Sequence, residues 1–176
     1  TEGRLSVKLD PTRNLLKEFI TLNNRVLERF TAWERKKIGV HTCPGADKDS
    51  THSADVDYAE LLPDLFELKA GNFYIAMASE KDRRRVLEVI KEHSKPEQRI
   101  FIGVIDPINP HIETPEEIKL KILEAAEFIP ADRLGTTDDC GFSPFGDDTT
   151  RSRHIAVAKI TNRVLGTALA SKELGL

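Results

Sequence analysis

The chain has 176 residues, of which 39% are hydrophobic and 31% are charged, and its formal net charge is −3. A chain of this size can bury one sizeable core, and so small a net charge argues against a nucleic-acid partner. No apolar stretch approaches the ~18 residues of a membrane span, and the first residues do not form a signal-peptide pattern. We therefore predict one globular unit, located in the cytoplasm.

The first element predicted along the chain is a helix. Asp10-Pro11 is typical of a helix start, because an N-cap residue is followed by a proline at the first helical position. Apolar residues then recur at steps of three and four, which predicts that one face of this helix is buried. They are Leu15, Phe19, Leu22, Val26, Phe30 and Trp33.

Four short apolar runs follow, and each precedes a longer helical segment. The predicted strands are KIGVHTC (37–43), NFYIAMAS (72–79), RIFIGVID (99–106) and RLGTTDDC (133–140). The predicted helices cover 58–68, 80–93, 115–128 and 150–172, with Ile155, Ala158, Ile160 and Val164 as buried positions in the last. Thr114 to Glu117 forms a capping box with proline at the first helical position, which marks the start of the third of these helices.

This alternation predicts an α/β fold whose four strands lie in one parallel sheet built from right-handed units. The strands are apolar without alternation, as expected when helices cover both faces. A doubly wound sheet is one architecture with these elements, whereas a closed eight-unit barrel needs ~200 to 250 residues. The first helix has no preceding strand, and the chain begins without methionine. We therefore predict that residues 1–176 form the second half of a TIM (β/α)8 barrel and are a fragment of a longer chain.

Residues with metal-binding chemistry lie at the ends of the predicted strands. His41 and Cys43 are two positions apart and so share one face at the end of the first strand. Cys140 ends the fourth strand, at the rim where α/β folds place their active sites. Zinc accepts one histidine and two cysteines and then keeps a position open for substrate. The second strand ends near Glu80 and the third at Asp106, so these carboxylates belong to the same rim.

A structural role for the cysteines is the alternative, because cysteine often behaves as a small buried hydrophobe. The polar neighbours Thr42, Asp138 and Asp139 favour the metal hypothesis over it. Cys43 and Cys140 are far apart in a chain without a secretory signal, which favours a reduced pair over a structural disulfide. Redox pairing of the two cysteines remains open.

Two stretches carry a resemblance to a known family. The segments GVHTC (39–43) and FIGVIDPINPHIETPEEIKLKILEAAEFIPADRLGTTDDCGF (101–142) resemble the catalytic barrel of cobalamin-independent methionine synthase, in its C-terminal half. This family belongs to the uroporphyrinogen decarboxylase/methionine synthase superfamily, and the resemblance covers nearly the whole chain. It implies zinc bound by His41, Cys43 and Cys140, and methyl transfer from 5-methyltetrahydropteroyltriglutamate to the thiol of homocysteine.

Two positions depart from the family pattern. Met77 stands where methionine synthases have a glutamate that completes the zinc site, which leaves Glu80 as the candidate fourth ligand. Ile108 stands where the family has a proton-donating histidine, and His111 or His52 are candidate substitutes. Because methyltetrahydrofolate needs a proton on its leaving nitrogen, we also consider a methyl-corrinoid as the donor.

Other polar residues are candidates for binding the substrate. Asp106 is a candidate catalytic residue that would hold the substrate amine, with Asn109 beside it. The remaining candidates are Glu2, Arg4 and Asp139, of which the first two depend on the segment TEGRL lining the pocket. Ordinary loop charge is the alternative for Glu2 and Arg4. Asp138 and Asp139 are also candidates for orienting His41 or stabilising the loop.

Two further functions stay open at the level of sequence. An inactive fragment would associate with itself through the open edges of its sheet, giving a homo-oligomer. Decarboxylation of a tetrapyrrole occurs elsewhere in the superfamily, but two cysteines at the rim argue against it. The run Arg83, Arg84 and Arg85 has acidic neighbours in an amphipathic helix, which indicates a solvated face and no nucleic-acid site.

Overall fold

The computed structural model describes residues 15–43, 57–142 and 152–176. Four strands form one sheet in the order β1-β2-β3-β4, and every neighbouring pair is parallel. The strands are β1 (Gly39–Thr42), β2 (Asn72–Ile75), β3 (Arg99–Ile105) and β4 (Leu134–Asp138). The prediction of an α/β fold with four parallel strands alternating with helices is confirmed.

Six α-helices lie in the described part of the chain. They are α1 (Leu15–Leu27), α2 (Ala32–Arg35), α3 (Tyr58–Leu65), α4 (Arg83–His93), α5 (Pro115–Ala126) and α6 (Arg153–Glu173). A 3-10 turn, Ala131–Arg133, leads into β4. Among the described residues, no helix combines the length and the apolar character that crossing a bilayer requires.

Side-chain caps fix where several helices begin. The capping box predicted at Thr114 is present, with Glu117 bonded back to the backbone N–H of Thr114. The helix predicted to begin at Glu80 begins instead at Arg83, because the Asp82 carboxylate accepts a hydrogen bond from the N–H of Arg85. The predicted helix start at Asp10-Pro11 lies outside the described residues.

The core lies between the sheet and the helices that cover its outer face. The side chains of Ile100, Ile102 and Val104 on β3 have no exposed surface. Helices α5 and α6 pack closely at Gly166, where an added Cβ would lie 2.7 Å from the side chain of Ile118. The helices hold the sheet from its outer face, and the parallel pairings set the order of the strand ends along one rim of the sheet.

The predicted buried face of α1 is wrong. Ile20 and Leu27 are buried, whereas the apolar series that the spacing identified is exposed, with Trp33 66% accessible. The exposed members are Phe19, Leu22, Val26, Phe30 and Trp33. Helix α1 precedes the edge strand β1, so one of its faces extends past the sheet and is not covered by the described residues.

A similar correction applies to α6, which follows the edge strand β4. Ile160 and Val164 were predicted to be buried and are exposed, while Lys159, Gly166 and Ala170 are buried in their place. Periodicity identifies an apolar face but not the element that covers it. At both edges of this sheet, the face that meets the core is therefore less apolar than the sequence suggested.

Lys159 is buried because it belongs to a satisfied polar network. Its ammonium group lies 2.9 Å from the Glu113 carboxylate and donates to the backbone oxygen of Asp106 at 2.8 Å. The other oxygen of Glu113 accepts from the N–H of Asp106 at 2.9 Å, and Asn162 donates to the backbone oxygen of Glu113. Both backbone groups of Asp106 are therefore held by charged side chains, which fixes the end of β3 against α6.

We predict that Lys159→Met destabilises the chain by about 3 to 5 kcal/mol, because it leaves the Glu113 carboxylate buried without its cation. The free energy of unfolding in urea measures this, with Lys172→Ala on the same helix as an exposed control expected to change it by less than about 0.5 kcal/mol. Adding Glu113→Gln to Lys159→Met removes the unpaired charge and restores part of the stability. A double variant no more stable than Lys159→Met would contradict this explanation.

Candidate metal centre

The imidazole of His41 and the thiols of Cys43 and Cys140 converge at one rim of the sheet. One ligand atom from each residue lies within 4.8 Å of the other two. The Sγ of Cys140 is 3.7 Å from the Nε2 of His41. The three residues that the sequence proposed as metal ligands are thus brought together, although 97 positions of chain separate Cys43 from Cys140.

Sheet order alone does not bring these residues together. Strands β1 and β4 are separated by β2 and β3, and neighbouring strands lie ~4.8 Å apart, so a flat sheet would hold β1 and β4 about 14 Å apart. The curvature of the sheet and the segment after β4 close this gap. A cavity of about 260 Å³ lies at the meeting point, lined by His41, Tyr74, Thr137, Asp138, Cys140 and Gly141.

The end of β1 is fixed by a tyrosine that the sequence analysis did not identify. The hydroxyl of Tyr58 donates to the backbone oxygen of Thr42 at 2.9 Å and also bonds the Thr42 side chain. Thr42 is buried on the helix side, so the flanking His41 and Cys43 face the opposite side. The pKa of His41 is raised, chiefly because its imidazole hydrogen-bonds to Cys43, while burial acts in the opposite direction.

Asp139, the residue before Cys140, is fully buried. Its Oδ1 accepts from the N–H groups of Met77 and Ala78, both at 2.8 Å. Its Oδ2 accepts from the N–H groups of Ala78 at 2.9 Å and Ser79 at 3.2 Å, and from the Ser79 hydroxyl. Burial raises the pKa of Asp139 to about 6, against the opposing effect of these backbone donors. Because both oxygens already have several donors, this placement argues against the predicted contact of Asp139 with substrate.

The other predicted site residues are distributed along the rim. Glu80 is half-buried but lies outside the His41, Cys43 and Cys140 group found in the described chain. The pKa of its carboxyl is raised, first by burial and then by the nearby charges of Asp139 and Asp57. The structure therefore does not bring Glu80 into this group, and its role as a fourth ligand stays a prediction.

Asp106 and Asn109 lie in the loop after β3. The Oδ1 of Asp106 accepts from the N–H groups of Ile108 at 2.9 Å and Asn109 at 3.3 Å. Asn109 is exposed and accepts from the N–H of His111. Glu2, Arg4 and His52 lie outside the described residues.

Met77 has no exposed surface and belongs to the hydrophobic core. It follows β2 and packs in the same core cluster as Phe73 and Ile75 of that strand. A side chain at this position packs in the core and does not reach the metal group. The open fourth position of the centre is therefore not filled by the residue that aligns with the family glutamate.

Arg83 also differs from its predicted role. Its side chain is 14% exposed, pairs with Glu124 at 3.0 Å, and donates to the backbone oxygen of Met77 at 2.7 Å. This arginine was predicted to lie on a solvated helix face. The signal that would have identified it is its position one residue after the N-cap Asp82, next to the end of β2.

The donor set fits a zinc ion. Zinc bound tetrahedrally to nitrogen at ~2.0 Å and sulfur at ~2.3 Å separates its ligand atoms by about 3.5 to 3.8 Å. The 3.7 Å between His41 Nε2 and Cys140 Sγ meets this requirement, and the limit of 4.8 Å for the whole group leaves only a small adjustment. Cys43 is exposed and Cys140 is half-buried, so a further ligand has access from the cavity.

Comparison with solved structures supports the fold. The chain aligns with a B12-independent methionine synthase from a Shewanella species, solved in complex with selenomethionine, at a TM-score of 0.62 and 24% sequence identity. The alignment covers 77% of this chain and 39% of that chain. At this identity the likeness establishes the fold alone.

The chain is also similar in sequence to curated proteins. A methionine synthase from Thermococcus kodakarensis is 27% identical over 177 residues, which cover 98% of this chain and 46% of that protein. A 5-methyltetrahydropteroyltriglutamate–homocysteine methyltransferase from Burkholderia mallei is 28% identical over 128 residues, covering 72% of this chain and 16% of that protein. This chain thus spans less than half the length of the curated relatives it matches.

The family profile described as "Cobalamin-independent synthase, Catalytic domain" matches residues 7–164. The match spans all three residues of the metal centre and every strand of the sheet. The chain therefore belongs to the family of cobalamin-independent synthase catalytic domains.

Proposed function

We propose that this chain carries the acceptor site of a zinc-dependent S-methyltransferase, which moves a methyl group from 5-methyltetrahydropteroyltriglutamate to homocysteine and forms methionine. The observation that carries this proposal is the convergence of His41, Cys43 and Cys140 at one rim. The names of the relatives, methionine synthase and homocysteine methyltransferase, support the same reaction.

The three side chains suit a thiol substrate. When bound, zinc would deprotonate the acceptor thiol, which has an ordinary pKa of about 8.5 and is mostly protonated at neutral pH. His41 and Cys43 hold one side of the site from β1, and Cys140 holds the other from the end of β4. The cavity beside them is where the acceptor would enter, with Tyr74 and Thr137 on its walls.

The methyl-corrinoid donor considered from Ile108 is not supported. The family description names a cobalamin-independent synthase, and the Burkholderia mallei relative is named for a folate donor. His111 is a candidate proton source near the rim, but its imidazole pairs with Glu117 at 3.1 Å at the start of α5. We therefore assign the folate as the methyl donor.

Self-association of an inactive fragment and tetrapyrrole decarboxylation both have less support than methyl transfer. The two curated relatives described above are named for methionine synthesis and homocysteine methylation, and these names support neither a homo-oligomer nor a tetrapyrrole substrate. Two statements stay predictions: that residues 1–176 form the second half of a barrel in a longer chain, and that the protein is located in the cytoplasm.

Asp106 is the proposed partner of the substrate amine. Its Oδ1 bonds the loop N–H groups of Ile108 and Asn109, and its backbone is fixed by Glu113 and Lys159. A carboxylate held in this way just after β3 has little freedom to reorient. Such a group suits recognition of an ammonium group on a small amino acid.

We expect the wild-type chain to bind about one zinc ion and Cys43→Ser to lose it, because three ligands hold the ion and the hydroxyl is a poor replacement for a thiolate. Metal analysis after dialysis measures this. His93→Ala removes an exposed histidine on α4 away from the rim and is expected to keep its zinc. Equal zinc content in wild type and Cys43→Ser would contradict the proposed centre.

We expect the zinc-loaded chain to form methionine from homocysteine and 5-methyltetrahydropteroyltriglutamate, and not from methylcobalamin. Mass spectrometry of the product, with a methyl-labelled donor, measures each reaction. Turnover with methylcobalamin alone would overturn the assignment of the donor. No methionine from either donor would overturn methyl transfer by this chain alone while leaving the metal centre intact.

We expect Asp106→Asn to weaken homocysteine binding by about 10- to 100-fold, since a hydrogen bond to a charged group contributes about 1.5 to 3 kcal/mol. Titration of the cobalt-substituted chain, whose thiolate absorption reports ligand binding, measures this without turnover. The matched ligand is 4-mercaptobutanoate, which lacks the amine and should bind wild type and Asp106→Asn equally. An equal loss for both ligands would show that Asp106 does not recognise the amine.

A further inference from the structure

Cys140 follows the end of β4 by only two positions, and yet it lies beside the ligands at the end of β1. Cys140 lies 3.7 Å from His41, although β2 and β3 separate their strands. Pairing of β3 with β4 shifts register between Gly103 and Ile105, and the backbone N–H of Asp139 then bonds to the oxygen of Ile105 at 3.0 Å. The chain therefore leaves the regular ladder just before Cys140, and its position beyond that point needs another constraint.

The Asp139 carboxylate supplies such a constraint. It extends from the end of β4 across β3 to the N–H groups of Met77, Ala78 and Ser79, which follow β2. These three consecutive N–H groups converge on one buried anion, an arrangement in which each hydrogen bond is strengthened by charge. The carboxylate thus joins the ends of β2 and β4 directly.

The crossing depends on the absence of a side chain at Gly103 of β3. A Cβ added there would overlap the Oδ1 of Asp139 and would lie 2.8 Å from the backbone nitrogen of Met77. The carboxylate occupies the space that a larger residue would fill. Gly103 is therefore required by the close approach of the Asp139 carboxylate to the Met77 backbone, and its φ is not unusual.

We propose that Asp139 is a positioning residue that places Cys140 beside His41 and Cys43 by tying the end of β4 to the end of β2. The inference rests on the proposed metal centre but concerns how the ligands are brought together before any ion binds. Asp139 does not touch the metal or the substrate in this role. Its contribution is to hold the three ligand atoms within the separation that a single ion can bridge.

The first test measures ligand proximity in the metal-free chain. Dibromobimane, which bridges two nearby thiols, is expected to cross-link Cys43 to Cys140 within wild type. In Asp139→Asn, the amide NH₂ faces the N–H of Ala78 or Ser79 as donor against donor, so we expect the cross-linked fraction to fall several-fold. Glu113→Gln is the matched control, since it also alters a buried carboxylate but leaves the 77–79 segment untouched.

The second test measures metal affinity. Partners that orient metal ligands typically contribute 10- to 100-fold, so Asp139→Asn should weaken zinc binding by about that factor in competition with a chromophoric chelator. Glu113→Gln should keep wild-type affinity even where its melting temperature falls as far as that of Asp139→Asn. Equal losses of affinity in the two variants would reduce Asp139 to a general stabilising residue and overturn the proposal.

The two measurements separate this inference from the proposed function. Wild type that cross-links but binds no zinc refutes the metal centre, whereas unchanged cross-linking in Asp139→Asn refutes the positioning role. If Asp139→Asn does not fold, Ser79→Ala takes its place, because Ser79 is exposed and loses only one donor to Asp139. We expect its zinc affinity to fall about two- to tenfold, as for one lost hydrogen bond. Unchanged affinity and cross-linking in Ser79→Ala would then overturn the proposal.

Discussion

The arrangement of the rim depends on one buried carboxylate. Asp139 accepts hydrogen bonds from three successive backbone N–H groups and bridges two strands that do not neighbour each other. A charge without exposed surface is costly unless it is fully bonded, and here the bonds come mainly from backbone N–H groups, which only a substitution by proline would remove. The position of Cys140 follows from this contact, and with it the geometry of the metal centre.

A second buried charge organises the neighbouring strand end. The pair of Lys159 and Glu113 holds both backbone groups of Asp106, so the loop after β3 is attached to α6 just as the end of β4 is attached to the segment after β2. The two arrangements use different chemistry for the same purpose. Each fixes the end of one strand through side chains from elements distant in sequence, which leaves the functional groups of the rim with few alternative positions.

The sequence predicted the elements and the ligands better than it predicted burial. His41, Cys43 and Cys140 could be identified because strand parity and strand ends are local properties, and parallel strands end at a common rim. The exposure of one apolar face on α1 and on α6 could not be predicted. The spacing of residues such as Val26 and Val164 identifies an apolar face but does not reveal whether another element covers that face. The roles of Lys159 and Tyr58 were also beyond reach, since each depends on a contact with a distant segment. For Asp139 the sequence suggested a supporting role, orienting His41 or stabilising the loop, but not its contacts with the N–H groups of residues 77–79.

Because Lys159 is completely buried, its amine does not react with reagents in water while the chain is folded. Acylating reagents modify lysines that water reaches, so in the native state they would label exposed residues such as Lys172 and spare Lys159. Lys159 becomes reactive only when α6 separates from the sheet. The rate at which Lys159 is acylated therefore reports how often α6 separates from the β4 edge of the sheet. Mass spectrometry measures this rate without any engineered probe.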